Sequence, residues 1–118
     1  MKTSILYIFS VVFSVAYAQV DTNSELFQTL KAKDSLLFDR AFNYCEGQYL
    51  EALTSEDFEF YHDQSGIIES KQDFLNIMKE GICNPNNETK SRRELVAGTL
   101  EVFPLYNNGK LYAALQKG

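Results

Sequence analysis

The chain has 118 residues, of which 45% are hydrophobic, 14% are aromatic and 23% are charged. This length and composition predict one globular domain and exclude a disordered tail, because nine Phe and seven Tyr can bury a large apolar surface. The formal net charge of -5 and the pI of about 4.8 exclude the clustered positive charge of nucleic-acid-binding domains, so we expect no nucleic-acid partner.

The first eighteen residues predict a cleaved secretory signal peptide. Lys2 supplies a positive start, residues 4–15 form an uncharged and mainly apolar run, and Ala16-Tyr17-Ala18 places small residues where a signal peptidase cuts. The apolar run is shorter than the roughly 20 residues that a membrane-spanning helix needs. We therefore expect a secreted or periplasmic protein that starts at Gln19, has no membrane anchor after cleavage, and folds as one domain over residues 19–118.

Two cysteines, Cys45 and Cys83, lie in the exported part of the chain. An even number of cysteines in an oxidising compartment favours a structural disulfide between them. The sequence has no Cys-x-x-Cys motif and a single histidine, which disfavours both a redox-active pair and a zinc site. Because phosphate-binding loops and metalloprotease motifs are also absent from the sequence, we expect neither a metal nor a cofactor.

Two helices are predicted at the start of the mature chain. Residues 21–24 are rich in helix-capping side chains, and apolar side chains then recur at helical spacing as far as Glu46. Gly47 is expected to stop this long helix, and a short second helix is expected over residues 48–53.

A hairpin and a third helix are predicted next. Polar and apolar side chains alternate over residues 57–62, turn-forming residues occupy positions 63–66, and residues 67–69 form a short return strand. Ser70, with an acidic residue three positions later, predicts the start of a helix over residues 71–80.

The remainder of the chain predicts two long strands joined by a tight turn. We expect one strand from Ser91 to Leu105, a turn around Asn108-Gly109, and a second strand over residues 110–116. The complete order predicts an α+β domain in which the helices pack on one curved antiparallel sheet.

Several stretches of this predicted order resemble a known superfamily. They are residues 34–38, 42–45, 58–63 with Gly66, 70–75, 92–96 and 112–116. Together they resemble nuclear transport factor 2-like proteins, a superfamily that includes ketosteroid isomerases and SnoaL-like cyclases, and in particular its exported branch of unknown function. The resemblance implies a cone-like α+β fold, and this fold hosts both binding proteins and enzymes.

The resemblance also implies a sheet that is C-terminally incomplete. In the superfamily, further strands follow the one that corresponds to residues 111–116 and close the cone, whereas the sequence stops at Gly118. We therefore expect residues 111–116 to form an edge strand with unpaired backbone groups. Leu111, Tyr112 and Leu115 on such an edge favour a homodimer, and related folds also commonly pair through their sheets.

Asp34 is the most informative candidate for a catalytic residue. On a helical wheel it falls inside the apolar stripe of the first helix and not opposite it. A carboxylate that faces a cavity is suited to general-base catalysis, which is the role of an acid in the related isomerases. The alternative is a buried structural acid that is satisfied by a Tyr hydroxyl, an Arg or backbone groups.

His62 and Tyr112 are weaker catalytic candidates. His62 is the single histidine and ends the predicted strand, where it either serves as an acid or base at a pocket mouth or fixes the following turn. A tyrosine such as Tyr112, Tyr61 or Tyr106 is able to polarise a carbonyl group, but aromatic residues at strand spacing are more often part of the core.

Phe58, Phe60 and Arg92 are candidates for ligand binding. Phe58 and Phe60 share one face of the predicted strand and are expected to point inward. Arg92 and its neighbour Arg93 either meet an anionic ligand or form salt bridges, with Glu94 or Asp34 as the expected partners.

Two function classes follow from these features. The first is a non-catalytic binding module for a small apolar ligand or a protein partner. The second is a small cofactor-free enzyme of the isomerase, cyclase or dehydratase type, using Asp34 or His62 together with a Tyr. The sequence holds no compact set of acid, base and oxyanion donor, and the expected sheet is incomplete, so we favour the binding module.

Overall fold

The computed structural model describes residues 18–118, so the predicted signal peptide lies outside the described residues except for Ala18. The described part of the chain is an α+β structure, as predicted. Its elements in order are α1 (Glu25–Asp34), a π-helical segment (Ser35–Asn43), α2 (Gly47–Leu53), β1 (Phe60–His62), β2 (Gly66–Ile68), α3 (Lys71–Glu80), β3 (Glu101–Asn107) and β4 (Lys110–Lys117).

The first helix begins as predicted but ends differently. Its N-terminus is capped by Ser24, whose Oγ accepts a hydrogen bond from the backbone N–H of Phe27 at 3.2 Å. The prediction that the helix runs to Glu46 and is stopped by Gly47 is wrong, because the π-helical segment ends at Asn43. The chain turns at Cys45, whose φ is 59°, and Gly47 is instead the first residue of α2.

The first hairpin is shorter than predicted, whereas α3 has the predicted bounds. β1 covers the last three residues of the predicted strand, because the N–H of Phe58 donates to the carbonyl of Ser55 at 3.2 Å and holds the preceding residues in a turn. The N-terminus of α3 is capped by Ser70, whose Oγ accepts from the N–H of Asp73 at 3.2 Å.

The second hairpin has the predicted turn but a shorter first strand. Asn108 and Gly109 have φ angles of 49° and 75°, as a two-residue hairpin turn with two left-handed positions requires. The prediction that this strand starts at Ser91 is wrong, and β3 starts ten residues later. A turn in which Thr99 N–H donates to the Val96 carbonyl at 3.1 Å keeps the preceding residues out of the ladder.

The four strands form two separate antiparallel hairpins, β1–β2 and β3–β4. The single curved sheet that we expected is therefore not formed within residues 18–118. Each hairpin packs near its own group of buried side chains. The first group joins the π-helical segment to α2 and α3, and the second joins α1 to β3: Ala41, Leu50, Phe74 and Met78 in the first, and Phe27, Leu100 and Val102 in the second.

The predicted disulfide between Cys45 and Cys83 is confirmed, with 5.5 Å between the two Cα atoms. It joins the turn before α2 to the segment that follows α3, and Cys83 packs against the first core group. None of the helices in the described part of the chain is long and apolar enough to cross a membrane.

We predict that reducing this disulfide lowers the free energy of unfolding by about 4 kcal/mol, because the bond closes a loop between cysteines 38 positions apart. Urea titration with and without dithiothreitol measures the difference. The double variant Cys45→Ser/Cys83→Ser is the control, since its unfolding midpoint should not respond to the reductant. An unchanged midpoint for the unmodified protein would contradict the prediction.

Candidate functional site

Asp34 occupies a buried position where α1 meets the π-helical segment, as the helical wheel predicted. Its side chain is almost completely buried, and each of its two carboxylate oxygens has a protein partner. Oδ2 forms an ion pair with Nη1 of Arg93 at 2.7 Å, and Oδ1 accepts a hydrogen bond from Nε2 of Gln116, also at 2.7 Å. These three side chains form the Asp34 network.

The register of the second hairpin explains how Gln116 reaches this network. Gln116 is paired with Val102, which is fully buried in the core group that joins β3 to α1. Directly paired residues of an antiparallel ladder point to the same side of the sheet. Gln116 is therefore a polar side chain on the apolar inner face of the hairpin, where its amide nitrogen donates to Asp34.

Three side chains of the helical region, Asp34, Phe38 and Asn43, hold Arg93 in place. Its guanidinium carbon lies 3.8 Å from the centre of the Phe38 ring, in addition to its ion pair with Asp34. Its backbone N–H donates to Oδ1 of Asn43 at 3.0 Å, and its carbonyl accepts from Nδ2 of the same residue at 2.8 Å. The amide of Asn43 thus pairs with the Arg93 backbone as a neighbouring strand would.

Two clefts flank the Asp34 network. One, which we call the polar cleft, has a volume of about 410 Å³ and is lined by Lys31, Asp34, Ser35, Asp39, Arg93, Glu94 and Leu95. The other, which we call the apolar cleft, has a volume of about 590 Å³. Its walls are formed by α1, the π-helical segment, α2 and β4. It is lined by Leu30, Lys33, Asp34, Leu37, Phe38, Ala52, Leu53 and Gln116.

A third cleft, of about 310 Å³, lies beside the disulfide. Apolar side chains of α2 and α3 form much of its wall, and Glu51 and Lys79 also line it. None of the predicted catalytic or ligand-binding residues lines this cleft.

His62 lies in the first hairpin and lines neither cleft beside Asp34. Its Nδ1 accepts hydrogen bonds from the backbone N–H groups of Gln64 and Ser65 at 3.0 and 3.2 Å. Oδ1 of Asp63 also lies 3.2 Å from this nitrogen. These contacts match the alternative in which His62 fixes the turn. They engage Nδ1, which is one of the two ring nitrogens that an acid or base role would use.

No tyrosine hydroxyl among residues 18–118 bonds to the Asp34 carboxylate. Tyr112 is 67% exposed on β4. The Tyr61 hydroxyl donates to Glu59 at 2.5 Å, and this hydrogen bond, together with the negative charge of Glu59, raises the pKa of the phenol above its usual value. The Tyr61 hydroxyl thus already donates to Glu59, and it would have to give up this hydrogen bond to polarise a substrate carbonyl.

The predicted ligand-binding residues lie in different surroundings. The rings of Phe58 and Phe60 pack on Phe74, with centroid distances of 4.8 and 5.0 Å, and so extend the first core group. Arg92 is exposed and pairs with Glu94, with 3.1 Å between Nε and Oε1. Of the two arginines in the sequence Arg92-Arg93, the second therefore belongs to the Asp34 network and the first does not.

Sequence reasoning identified Asp34 and the alternative of an arginine partner, but it missed Phe38, Asn43 and Gln116. A usable signal existed for Gln116, since it is a polar residue that shares one face of the predicted strand with Tyr112 and Ala114. Within residues 18–118, no cluster of three or more His, Cys, Asp or Glu side chains is arranged to hold a metal ion.

We predict that Arg93→Met lowers the free energy of unfolding by about 3 kcal/mol, because it leaves the buried Asp34 carboxylate without its cation. Arg92→Met is the matched control, and it should change stability by less than about 0.5 kcal/mol, since Arg92 pairs on the exposed surface. Urea unfolding of both variants measures the difference. Equal losses would contradict the distinction drawn between the two arginines.

Comparison of the chain with protein-family models, with curated proteins and with solved structures found no match. The resemblance to nuclear transport factor 2-like proteins therefore stays a prediction.

Proposed function

We propose that this chain is a non-catalytic binding module that holds a small apolar molecule in the apolar cleft. The observation that carries the proposal is the double engagement of Asp34, whose two oxygens are bonded to Arg93 and Gln116. The Asp34 carboxylate therefore has a structural role, and the apolar cleft beside it is suited to contact an apolar ligand.

The engagement of Asp34 counts against the alternative of a small enzyme. A general base must reach the proton that it removes, within hydrogen-bond distance or through one water. Asp34 is already paired with a guanidinium at 2.7 Å, so a substrate would have to compete with that ion pair. The other proposed acid or base, His62, lies in a different hairpin and is engaged with its own turn.

The dimensions and lining of the apolar cleft support binding of a small molecule. Ligand sites typically have volumes of about 300–1,000 Å³, mostly apolar walls and a few polar groups that fix orientation. At about 590 Å³ the apolar cleft lies in this range, and Leu30, Leu37, Phe38 and Leu53 contribute its larger apolar side chains. The Gln116 amide uses its nitrogen for Asp34, and its carbonyl oxygen is a candidate acceptor for a ligand.

The proposal includes membership of the nuclear transport factor 2-like superfamily as an exported protein. The α+β element order and the Cys45–Cys83 disulfide are compatible with it.

We predict that Ala52→Trp abolishes binding of the neutral dye Nile red, because the indole ring fills the apolar cleft from α2. Glu51→Trp is the matched control, since Glu51 is the preceding residue but lines the cleft beside the disulfide. Dye fluorescence measures binding, and circular dichroism checks that both variants fold. Equal binding by Ala52→Trp and the unmodified protein would contradict the proposed site.

A second proposal concerns association with another copy of the chain through β4. This strand pairs with β3 on one side, and within residues 18–118 no strand pairs with its other side. Leu111, Tyr112 and Leu115 on this strand are all exposed, Leu115 to 60%. An unpaired strand with exposed apolar side chains is a template for pairing with an identical strand, and such a contact has two-fold symmetry.

We predict that Ala113→Lys shifts the protein from dimer to monomer, because it places a charge in the middle of β4 on each copy. Ala97→Lys adds the same charge in the exposed segment before β3 and should leave the dimer unchanged. Sedimentation velocity at tens of micromolar, the order of affinities relevant to such interfaces, measures the two states. A monomeric, folded, unmodified protein at that concentration would contradict the proposal.

A further inference from the structure

We propose that the ligand of the apolar cleft is an amphiphilic carboxylic acid whose carboxylate is received by Lys33. The inference rests on the proposed binding function and adds to it the chemical class of the ligand. It follows from the balance of charge around the cleft and from the place of Lys33 on its wall.

The charge balance distinguishes Lys33 from the other ionisable group of the cleft. Asp34 and Lys33 are the two ionisable residues that line the apolar cleft. The charge of Asp34 is neutralised by Arg93, which lies in the segment before β3. Lys33 takes part in none of the ion pairs within residues 18–118. The cleft therefore carries one uncompensated positive charge, and an anionic group complements it.

The place of Lys33 gives the ligand an orientation. Lys33 lies in the last turn of α1 and is exposed, whereas Leu30 and Leu37 on the same wall are partly buried. A carboxylate is costly to remove from water, while an alkyl chain gains free energy on burial. The alkyl chain is therefore expected against the leucines and the carboxylate at the water-facing ammonium group.

Lys31 provides an internal comparison on the same helix. It lines the polar cleft, where Asp39 and Glu94 also contribute to the wall. An anion at Lys31 would meet these two carboxylates, and their repulsion opposes the attraction of the lysine. The two lysines thus carry the same charge two positions apart, but only the surroundings of Lys33 favour an anionic ligand.

The test compares three ten-carbon probes, decanoate, 1-decanol and decylammonium, by displacement of Nile red at pH 8 and below their micellar concentrations. The unmodified protein should bind decanoate more tightly than decanol, and decylammonium least. Lys33→Met should weaken decanoate binding by about fivefold, the fold-change of an exposed ion pair of about 1 kcal/mol, and leave decanol binding unchanged. Lys31→Met should alter neither.

The outcomes separate this inference from the proposed function. If decanol binds as tightly as decanoate, or if Lys33→Met and Lys31→Met have equal effects, the assignment of a carboxylate to Lys33 is wrong while an apolar binding site stands. If the dye and all three probes fail to bind the folded protein, the proposed function itself is wrong, and this inference with it.

Discussion

A carboxylate buried in an apolar interior must be paired, and the contacts around Asp34 follow from this constraint. Its partners Arg93 and Gln116 come from positions 59 and 82 residues later in the chain. The pairing therefore joins the helical region, the irregular segment before β3, and β4. Removing the cation alone would leave a buried charge, which is far more costly than losing a surface ion pair.

The pairing of Asp34 with Arg93 and Gln116 also determines which kind of ligand suits the apolar cleft. It places the Arg93 guanidinium on the Phe38 ring and directs the Gln116 amide nitrogen to Asp34. The charges of Asp34 and Arg93 beside the apolar cleft are thereby matched within the protein, and leucine side chains form much of the wall of the cleft. A site of this kind contributes apolar contact and a few orienting polar groups, which suits recognition better than proton transfer.

Features governed by neighbouring residues were predictable from the sequence. The start of the first helix after the cap-rich residues 21–24, the cap at Ser70 and the Asn108-Gly109 turn depend on side chains within three positions, and each is confirmed. The disulfide was predicted from the even number of cysteines and the expected compartment, and it is also confirmed. Burial of Asp34 followed from helical periodicity alone.

Features governed by distant residues were not predictable in the same way. Nothing local distinguishes Arg93 from Arg92, since the choice depends on which of the two meets Asp34 and Asn43. The segment before β3 was predicted to be part of that strand, yet its turn and its bonds to Asn43 keep it out of the ladder. The joining of both hairpins into one sheet was likewise a long-range expectation, and it is not realised in the described residues.

The most direct test of this account is a double-mutant cycle between Asp34 and Arg93, using Asp34→Leu, Arg93→Met and the combined variant. The account predicts a coupling energy of about 2 kcal/mol from urea unfolding, with the double variant more stable than Arg93→Met alone, because it no longer buries an unpaired charge. Losses that simply add, with a coupling below about 0.5 kcal/mol, would contradict the claim that this pair holds the site together.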